Sequence, residues 1–221
     1  MIQHLDAITW LENMPTQSVD LVVTDPAYES LEKHRARGTT TRLDNWFPIF
    51  KNEKFPLLFA HLFRVLRNDS HCYVLCDAET MFVVKPIAEA AGFKFWKPIV
   101  WDKMTIGMGY HYRARSEFVL FFEKGQRRLR SLSVADVLPF PRVRGGYPTQ
   151  KPVELLSVLI EQSSDAGDIV IDPFAGSGST GVAATKLGRI FAGCDVNENC
   201  GEIYRRRIVA EIEDTGEESN G

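Results

Sequence analysis

The stretch that decides the fold is Asp168-Ile169-Val170-Ile171-Asp172-Pro173-Phe174-Ala175-Gly176-Ser177-Gly178-Ser179-Thr180. It predicts a buried strand, a tight loop and the start of a helix. Gly176 and Gly178 permit positive φ and let a ligand approach the backbone. The run lacks the third glycine of the dinucleotide fingerprint and the Gly-Lys-Ser/Thr of a phosphate-binding loop, so we expect a ligand without phosphates. The next predicted strand ends about twenty residues later in Asp195, where an acid commonly binds ribose hydroxyls.

A second acid-proline turn, Asp25-Pro26-Ala27-Tyr28, follows an apolar run at residues 19–24. The exocyclic amine of adenine or cytosine is a poor nucleophile, because its lone pair is delocalised into the ring. We expect the Asp25 carboxylate and the Pro26 carbonyl to accept hydrogen bonds from such an amine. Tyr28 can then stack on a base swung out of a duplex. Both turns belong at the carboxyl edge of the sheet, where open α/β sheets bind ligands.

Strand and helix patterns alternate along the chain and predict an α/β fold. We expect a doubly wound, mostly parallel sheet with one antiparallel edge strand and helices on both faces. The length fits a single catalytic domain over residues 1–210, followed by an acidic tail, 211–221, that we expect to be disordered. The predicted strands are 2–5, 19–24, 72–76, 98–101, 118–122, 169–171 and 190–194. The predicted helices are 7–14, 50–66, 80–91, 152–163, 180–187 and 198–211.

Composition and charge narrow the class of protein. The chain is 44% hydrophobic and 25% charged, as soluble globular proteins are, and no run is apolar enough to span a bilayer. The N-terminus lacks a secretory pattern, so we expect a cytoplasmic protein. The four cysteines form no CxxC pair, so we expect reduced thiols and no metal site. The net charge is −3, but the last eleven residues hold five acids and no base, so the rest is basic.

The two turns, the run Thr149-Gln150-Lys151-Pro152 and Asp195 together resemble the amino-methylating DNA methyltransferases that use S-adenosylmethionine. The resemblance covers nearly the whole chain, and it implies a Rossmann-like methyltransferase sheet. The catalytic turn precedes the cofactor turn, as in the circularly permuted β class. Two departures exist: Ala27 replaces a common second proline, and Tyr147 stands where a histidine is frequent.

The resemblance implies a role for each matching residue. Asp25 would orient the target amine and contact the methionine end of S-adenosylmethionine. Asp195 would hold the ribose, and Asp6 would meet the adenine of the cofactor. The other residues of the expected cofactor site are Thr149, Gln150, Lys151, Asp172, Phe174, Gly176, Ser177 and Gly178. The reaction needs no covalent intermediate and no metal.

An initial Asp in the catalytic turn is associated with N6 of adenine, and an initial Ser with N4 of cytosine. We therefore expect an adenine-N6 DNA methyltransferase. N4-cytosine methylation and a non-catalytic relative that binds a partner are the alternatives. Methylation of a protein glutamine or of RNA is disfavoured by the order of the turns and by Asp25.

DNA contacts must come from basic segments outside these motifs. The candidate loops are 29–46 and 124–147, together with the segment around residue 112. These segments are too short to form a separate target-recognition domain. We therefore expect low sequence specificity, recognition of a short DNA site, or dependence on a partner. Family analogy adds a homodimer as a candidate assembly. The candidate DNA-binding residues are Arg35, Arg37, Tyr112, Arg113, Arg115, Arg127, Arg128, Arg142 and Arg144.

Overall fold

The computed structural model describes residues 1–31, 48–107, 111–145, 147 and 149–218. Its strands are β1 (Ile2–His4), β2 (Val19–Thr24), β3 (Leu66–Cys76), β4 (Lys94–Asp102), β5 (Ser116–Lys124), β6 (Val137–Pro139), β7 (Ile169–Asp172) and β8 (Ile190–Asp195). The helices used below are α1 (Ala7–Glu12), α2 (Phe55–Val65), α3 (Ala78–Ala90), α4 (Val153–Ser163), α5 (Ser179–Lys186) and α6 (Cys200–Glu218).

The eight strands form one sheet in the order β1-β8-β7-β2-β3-β5-β4-β6. All neighbours are parallel except at β5, which runs antiparallel to both β3 and β4. The doubly wound, mostly parallel fold is therefore confirmed. The antiparallel strand is not at the edge, however, because β4 and β6 lie outside it. Strand β6 was not predicted, since its three residues lie in a proline-rich segment and are too few to show a period.

The central strand β2 is buried along its whole length. Val22 belongs to a hydrophobic cluster on one face of the sheet, while Leu21 and Val23 belong to the cluster on the other face. Such two-sided burial is typical of a parallel strand covered by helices. Residues from α1, α2 and α3 contribute to the first cluster, and residues from α4 and α5 to the second. Both faces of the strand that leads to Asp25 are thus held by packing.

Several element boundaries differ from the predictions. Helix α2 begins at Phe55 rather than at residue 50, with Pro56 in its first turn, where proline is favoured. Strand β3 begins at Leu66, directly after that helix, rather than at residue 72. Helix α6 runs to Glu218, so the backbone stays helical beyond the predicted end at residue 211. In the described part of the chain, no helix has the length and apolarity needed to cross a membrane.

Candidate active site

One cavity at the carboxyl edge of the sheet is lined by both acid-proline turns. Its volume is about 460 Å³, within the range of small-molecule sites. The turns meet there because β2 and β7 are adjacent and parallel, so their carboxyl ends lie side by side. The predicted residues that line the cavity are Asp6, Asp25, Pro26, Tyr28, Thr149, Gln150, Lys151, Asp172, Phe174, Gly176, Ser177 and Asp195.

Asp172 holds the glycine-containing turn in shape. Its carboxylate accepts hydrogen bonds from the Thr24 hydroxyl (2.8 Å), the Phe174 backbone N–H (3.0 Å) and the Thr180 hydroxyl (2.8 Å). Burial raises the pKa of Asp172 to about 7, although these hydrogen bonds act to lower it. This residue ties the end of β7 to the end of β2 and to the first turn of α5. Its hydrogen bonds join the two halves of the site.

The two glycines of the turn serve different purposes. Gly176 has φ of 50°, lines the cavity and donates its N–H to Asp195 Oδ2 at 2.8 Å. Gly178 has φ of 78°, but it is not among the residues that line the cavity. A Cβ at Gly178 would overlap the Tyr204 side chain of α6. Gly178 therefore allows α6 to pack closely behind the turn, and its contact with the cofactor stays a prediction.

Two further acids hold positions at the cavity wall. Asp195 Oδ1 accepts the Asn197 N–H at 2.9 Å, so both of its oxygens are oriented by backbone donors. Asp6 caps helix α1, and its Oδ1 accepts the N–H groups of Ile8 and Thr9. Each acid follows the end of a strand or lies at its end, as predicted from the sequence.

Asp25 forms a salt bridge with Lys151, which belongs to the turn before α4. The two side chains are 25% and 13% exposed, so water screens the pair only in part. Burial raises the pKa of Asp25, against the opposing effect of Lys151. Burial alone would lower the pKa of Lys151, but the Asp25 and Glu117 carboxylates raise it. The lysine is therefore a stable cation beside the proposed catalytic carboxylate.

The backbone of the catalytic turn is tied to the segment that leads into α2. The Phe50 N–H donates to the Ala27 carbonyl at 2.7 Å, and Tyr28 forms a parallel bridge with Phe50. The Phe50 ring meets that of Phe174 edge-on, with centroids 4.9 Å apart. Tyr28 is only 7% exposed, so most of its ring lies in the core. Phe50 thus links the catalytic turn to the cofactor turn.

The structure adds site residues that the motifs did not reveal. Glu117 lines the cavity and accepts a hydrogen bond from Lys103 Nζ at 3.2 Å. It lies opposite Trp101 in the antiparallel β4–β5 pair, and Trp101 also lines the cavity. Tyr147 and Phe50 also line the cavity. Only the pairing register could have revealed Glu117, because no local motif contains it.

The candidate DNA-binding residues at the carboxyl edge differ in their exposure and in whether they already bind other groups of the protein. Arg142 lines the cavity and is exposed, and Arg144 is exposed nearby in the chain. Tyr112 is fully exposed. Arg113 donates to the Gly107 carbonyl at 2.6 Å. Arg115 instead forms a two-pronged salt bridge with Asp102, at 2.6 and 2.7 Å.

Arg127 and Arg128 lie at the other edge of the sheet. Strand β5 starts at the carboxyl edge and runs back for nine residues, about 27 Å at strand spacing. Arg127 follows its far end and pairs with Asp165 and Asp168. The antiparallel direction of β5 thus places both arginines away from the cavity, and DNA binding by them stays a prediction. Arg35 and Arg37 lie outside the described residues.

Comparisons with known proteins agree with this architecture. A family model described as DNA methylase matches residues 19–206. The chain belongs to this DNA methylase family. Type II methyltransferase M2.DpnII of Streptococcus pneumoniae is 26% identical, over 96% of this chain and 91% of its own. DNA adenine methyltransferase YhdJ of Escherichia coli K12 is 29% identical, over 94% of this chain and 82% of its own.

Solved structures of DNA methylases share the fold. The complex of M1.HpyAVI with S-adenosylmethionine has a TM-score of 0.71 at 24% identity and covers 94% of this chain and 100% of its own. The cytosine-N4-specific PvuII DNA methyltransferase has a TM-score of 0.71 at 15% identity, over 94% of this chain and 92% of its own. The predicted resemblance to amino DNA methyltransferases is confirmed, and with it S-adenosylmethionine as the methyl donor.

The cavity fits this donor chemically. S-adenosylmethionine carries a cationic sulfonium, an amino acid end, ribose hydroxyls and an adenine ring. The wall offers carboxylates at Asp6, Asp25 and Asp195 and the aromatic ring of Phe174. Gly176 has no side chain between its backbone and the Tyr147 ring, and an added Cβ would lie 3.6 Å from that ring. These residues would hold the donor, which supplies an electrophilic methyl group.

Proposed function

We propose that this DNA methylase transfers a methyl group from S-adenosylmethionine to N6 of adenine in DNA. The single observation that carries the proposal is the shared cavity of the Asp25 and Gly176 turns. One turn is chemically suited to an exocyclic amine, and the other to the methyl donor. Their meeting at one sheet edge gives the two reactants a common site, which is the main contribution that positioning makes to such a reaction.

The catalytic turn would activate the amine by hydrogen bonding. The Asp25 carboxylate and the Pro26 carbonyl each accept one N–H, which localises the nitrogen lone pair and aims it. A nitrogen–carbon bond then forms as the sulfur–carbon bond breaks, and the amine proton passes to water. Lys151 occupies only Oδ2 of Asp25, and an ionised carboxylate has further lone pairs, so it could accept the amine N–H beside the lysine. Tyr28 would stack against the extruded base with the small part of its ring that reaches the cavity.

The choice of adenine rests on two supports. The turn begins with Asp25, the residue associated with adenine targets, and the relative YhdJ is named a DNA adenine methyltransferase. N4 of cytosine is the second candidate, because its amine offers the same two N–H groups and because PvuII methyltransferase is named as cytosine-N4-specific.

The DNA duplex would lie across the carboxyl edge of the sheet. Arg142 and Arg144 are the best candidates for phosphate contacts, since both are exposed and Arg142 lines the cavity. Tyr112 and Arg113 form a second candidate region. The proposed surface does not include Arg127 or Arg128, which follow the far end of β5. A homodimer stays a prediction, which analytical ultracentrifugation of the purified protein tests.

The test is a methylation assay with duplex DNA and isotopically labelled S-adenosylmethionine. After digestion to nucleosides, mass spectrometry separates N6-methyladenine from N4-methylcytosine. We expect labelled N6-methyladenine from the wild type and none from Asp25→Ala. Calorimetric titration with S-adenosylmethionine shows whether each protein binds the donor. Binding without any methylated base would contradict the enzymatic proposal, and N4-methylcytosine alone would replace adenine by cytosine.

A further inference from the structure

Helix α6 reaches the back of the cofactor turn with one arginine of a three-arginine run. In the run Arg205-Arg206-Arg207, the first two side chains are 74% and 78% exposed and pair with Glu202. Arg207 instead points inward and is partly buried. Helix periodicity explains the difference, because residues three apart lie on one face of a helix. Tyr204, three residues before Arg207, packs against Gly178 of the cofactor turn, so Arg207 faces the same turn.

Arg207 contacts the cofactor turn through three hydrogen bonds. Its Nη1 donates to the Ser177 carbonyl at 2.9 Å, to the Ser177 hydroxyl at 3.0 Å and to the Ser179 hydroxyl at 3.0 Å. Both serines are nearly fully buried, at 4% and 5% exposure. Ser177 and Ser179 also line the cavity. The Arg207 guanidinium therefore bridges Ser177 of the turn and Ser179, the first residue of α5.

The same face of α6 makes a second contact with the turn. Tyr204 occupies the space beside Gly178 and Gly181, where a Cβ at either glycine would overlap its ring. The turn is thus held from outside by an aromatic ring and a cation on consecutive turns of one helix. Hydrogen bonds from a charged donor contribute more than neutral ones, and burial strengthens them.

We infer that Arg207 is a positioning residue for S-adenosylmethionine binding, acting through Ser177 and Ser179 rather than by contact with the cofactor. In its absence the turn loses three donated hydrogen bonds and samples conformations that do not fit the donor. The inference rests on S-adenosylmethionine as the donor and is independent of which base is methylated.

The experiment measures the Kd of S-adenosylmethionine by calorimetric titration of the full-length protein. We expect Arg207→Met to weaken binding about tenfold, the equivalent of about 1.4 kcal/mol. Arg207→Lys should recover part of the affinity, since an ammonium can still donate to the Ser177 carbonyl. The matched control is Arg206→Met, which removes an exposed arginine from the same helix and should change the Kd by less than about twofold.

The results separate this inference from the cofactor assignment. A wild type that fails to bind S-adenosylmethionine refutes both. A wild type that binds, with a folded Arg207→Met variant of equal affinity, overturns the role of Arg207 alone. If Arg207→Met does not fold, Arg207→Lys is the deciding variant, because it changes no residue that lines the cavity. A weaker Kd than that of the wild type with an unchanged melting temperature supports the inference, and a Kd equal to that of the wild type refutes it.

Discussion

The salt bridge between Asp25 and Lys151 makes a quantitative prediction about stability. Two unit charges about 4 Å apart attract by about 4 kcal/mol at an effective dielectric constant of about 20. In the Asp25→Asn variant part of this attraction is retained, because the Lys151 ammonium still interacts with the Glu117 carboxylate. With the side chains only 25% and 13% exposed, we expect a coupling energy of about 2 kcal/mol between them.

A double-mutant cycle measures this coupling. Urea denaturation at pH 7 gives the free energy of unfolding for the wild type, Asp25→Asn, Lys151→Met and the double variant. Asn keeps the shape of the Asp25 side chain while removing its charge. The control cycle uses the exposed pair Glu202 and Arg206, for which we expect at most about 0.5 kcal/mol.

The outcome bears directly on the site. A coupling of about 2 kcal/mol means that Lys151 restrains the Asp25 carboxylate before substrates arrive. A coupling no larger than that of the Glu202–Arg206 control would refute the reasoning, because the two charges would then be as well screened as a surface pair.

Three further predictions concern groups that shape the site and the core. The pKa of Asp172 is about 7 in the fold and 3.8 ordinarily, so its contribution to stability is complete below pH 3.8 and is lost as pH rises through 7. Relative to Asp172→Asn, the wild type should lose about 3 kcal/mol of unfolding free energy between pH 5 and pH 8, and a constant difference would contradict this. Burial lowers the pKa of His71 to about 4. Its NMR ring signals should therefore show no titration between pH 8 and pH 5.5. A titration midpoint near 6.5 would disprove that the ring is buried in its neutral form. Gly178→Ala should lower the free energy of unfolding by about 3 kcal/mol, because the new Cβ meets both a positive φ and the Tyr204 side chain. Gly167 also has a positive φ but open space around it, so Gly167→Ala should lower the free energy of unfolding by only about 1 kcal/mol. Thermal or urea unfolding measures both.

Local turn chemistry made much of the site predictable. Asp25 and Gly176 were found because acid-proline and glycine turns have recognisable sequences and because parallel strands end at one edge. Their meeting in one cavity agrees with that reasoning. The roles of the individual residues stay proposals, since position alone does not test them.

What the sequence did not reveal depends on strand direction and register. Glu117 reaches the cavity because it pairs opposite Trp101, a relation between strands that no single stretch encodes. Arg127 looked suitable for DNA, but the direction of β5 carries it to the far edge. The inward orientation of Arg207 depends on the helical phase of α6 against the cofactor turn, and a run of three arginines gives no sign of that phase.

The hydrogen bond between Thr24 and Asp172 joins residues 148 positions apart. During synthesis on the ribosome, the catalytic turn emerges long before its partner strand β7 exists. The nascent chain therefore has β2 without a neighbour on one side, and the donor pocket cannot close until the last third of the polypeptide is available. Such long-range pairing slows folding, and it makes catalytic competence one of the last properties that the growing molecule acquires.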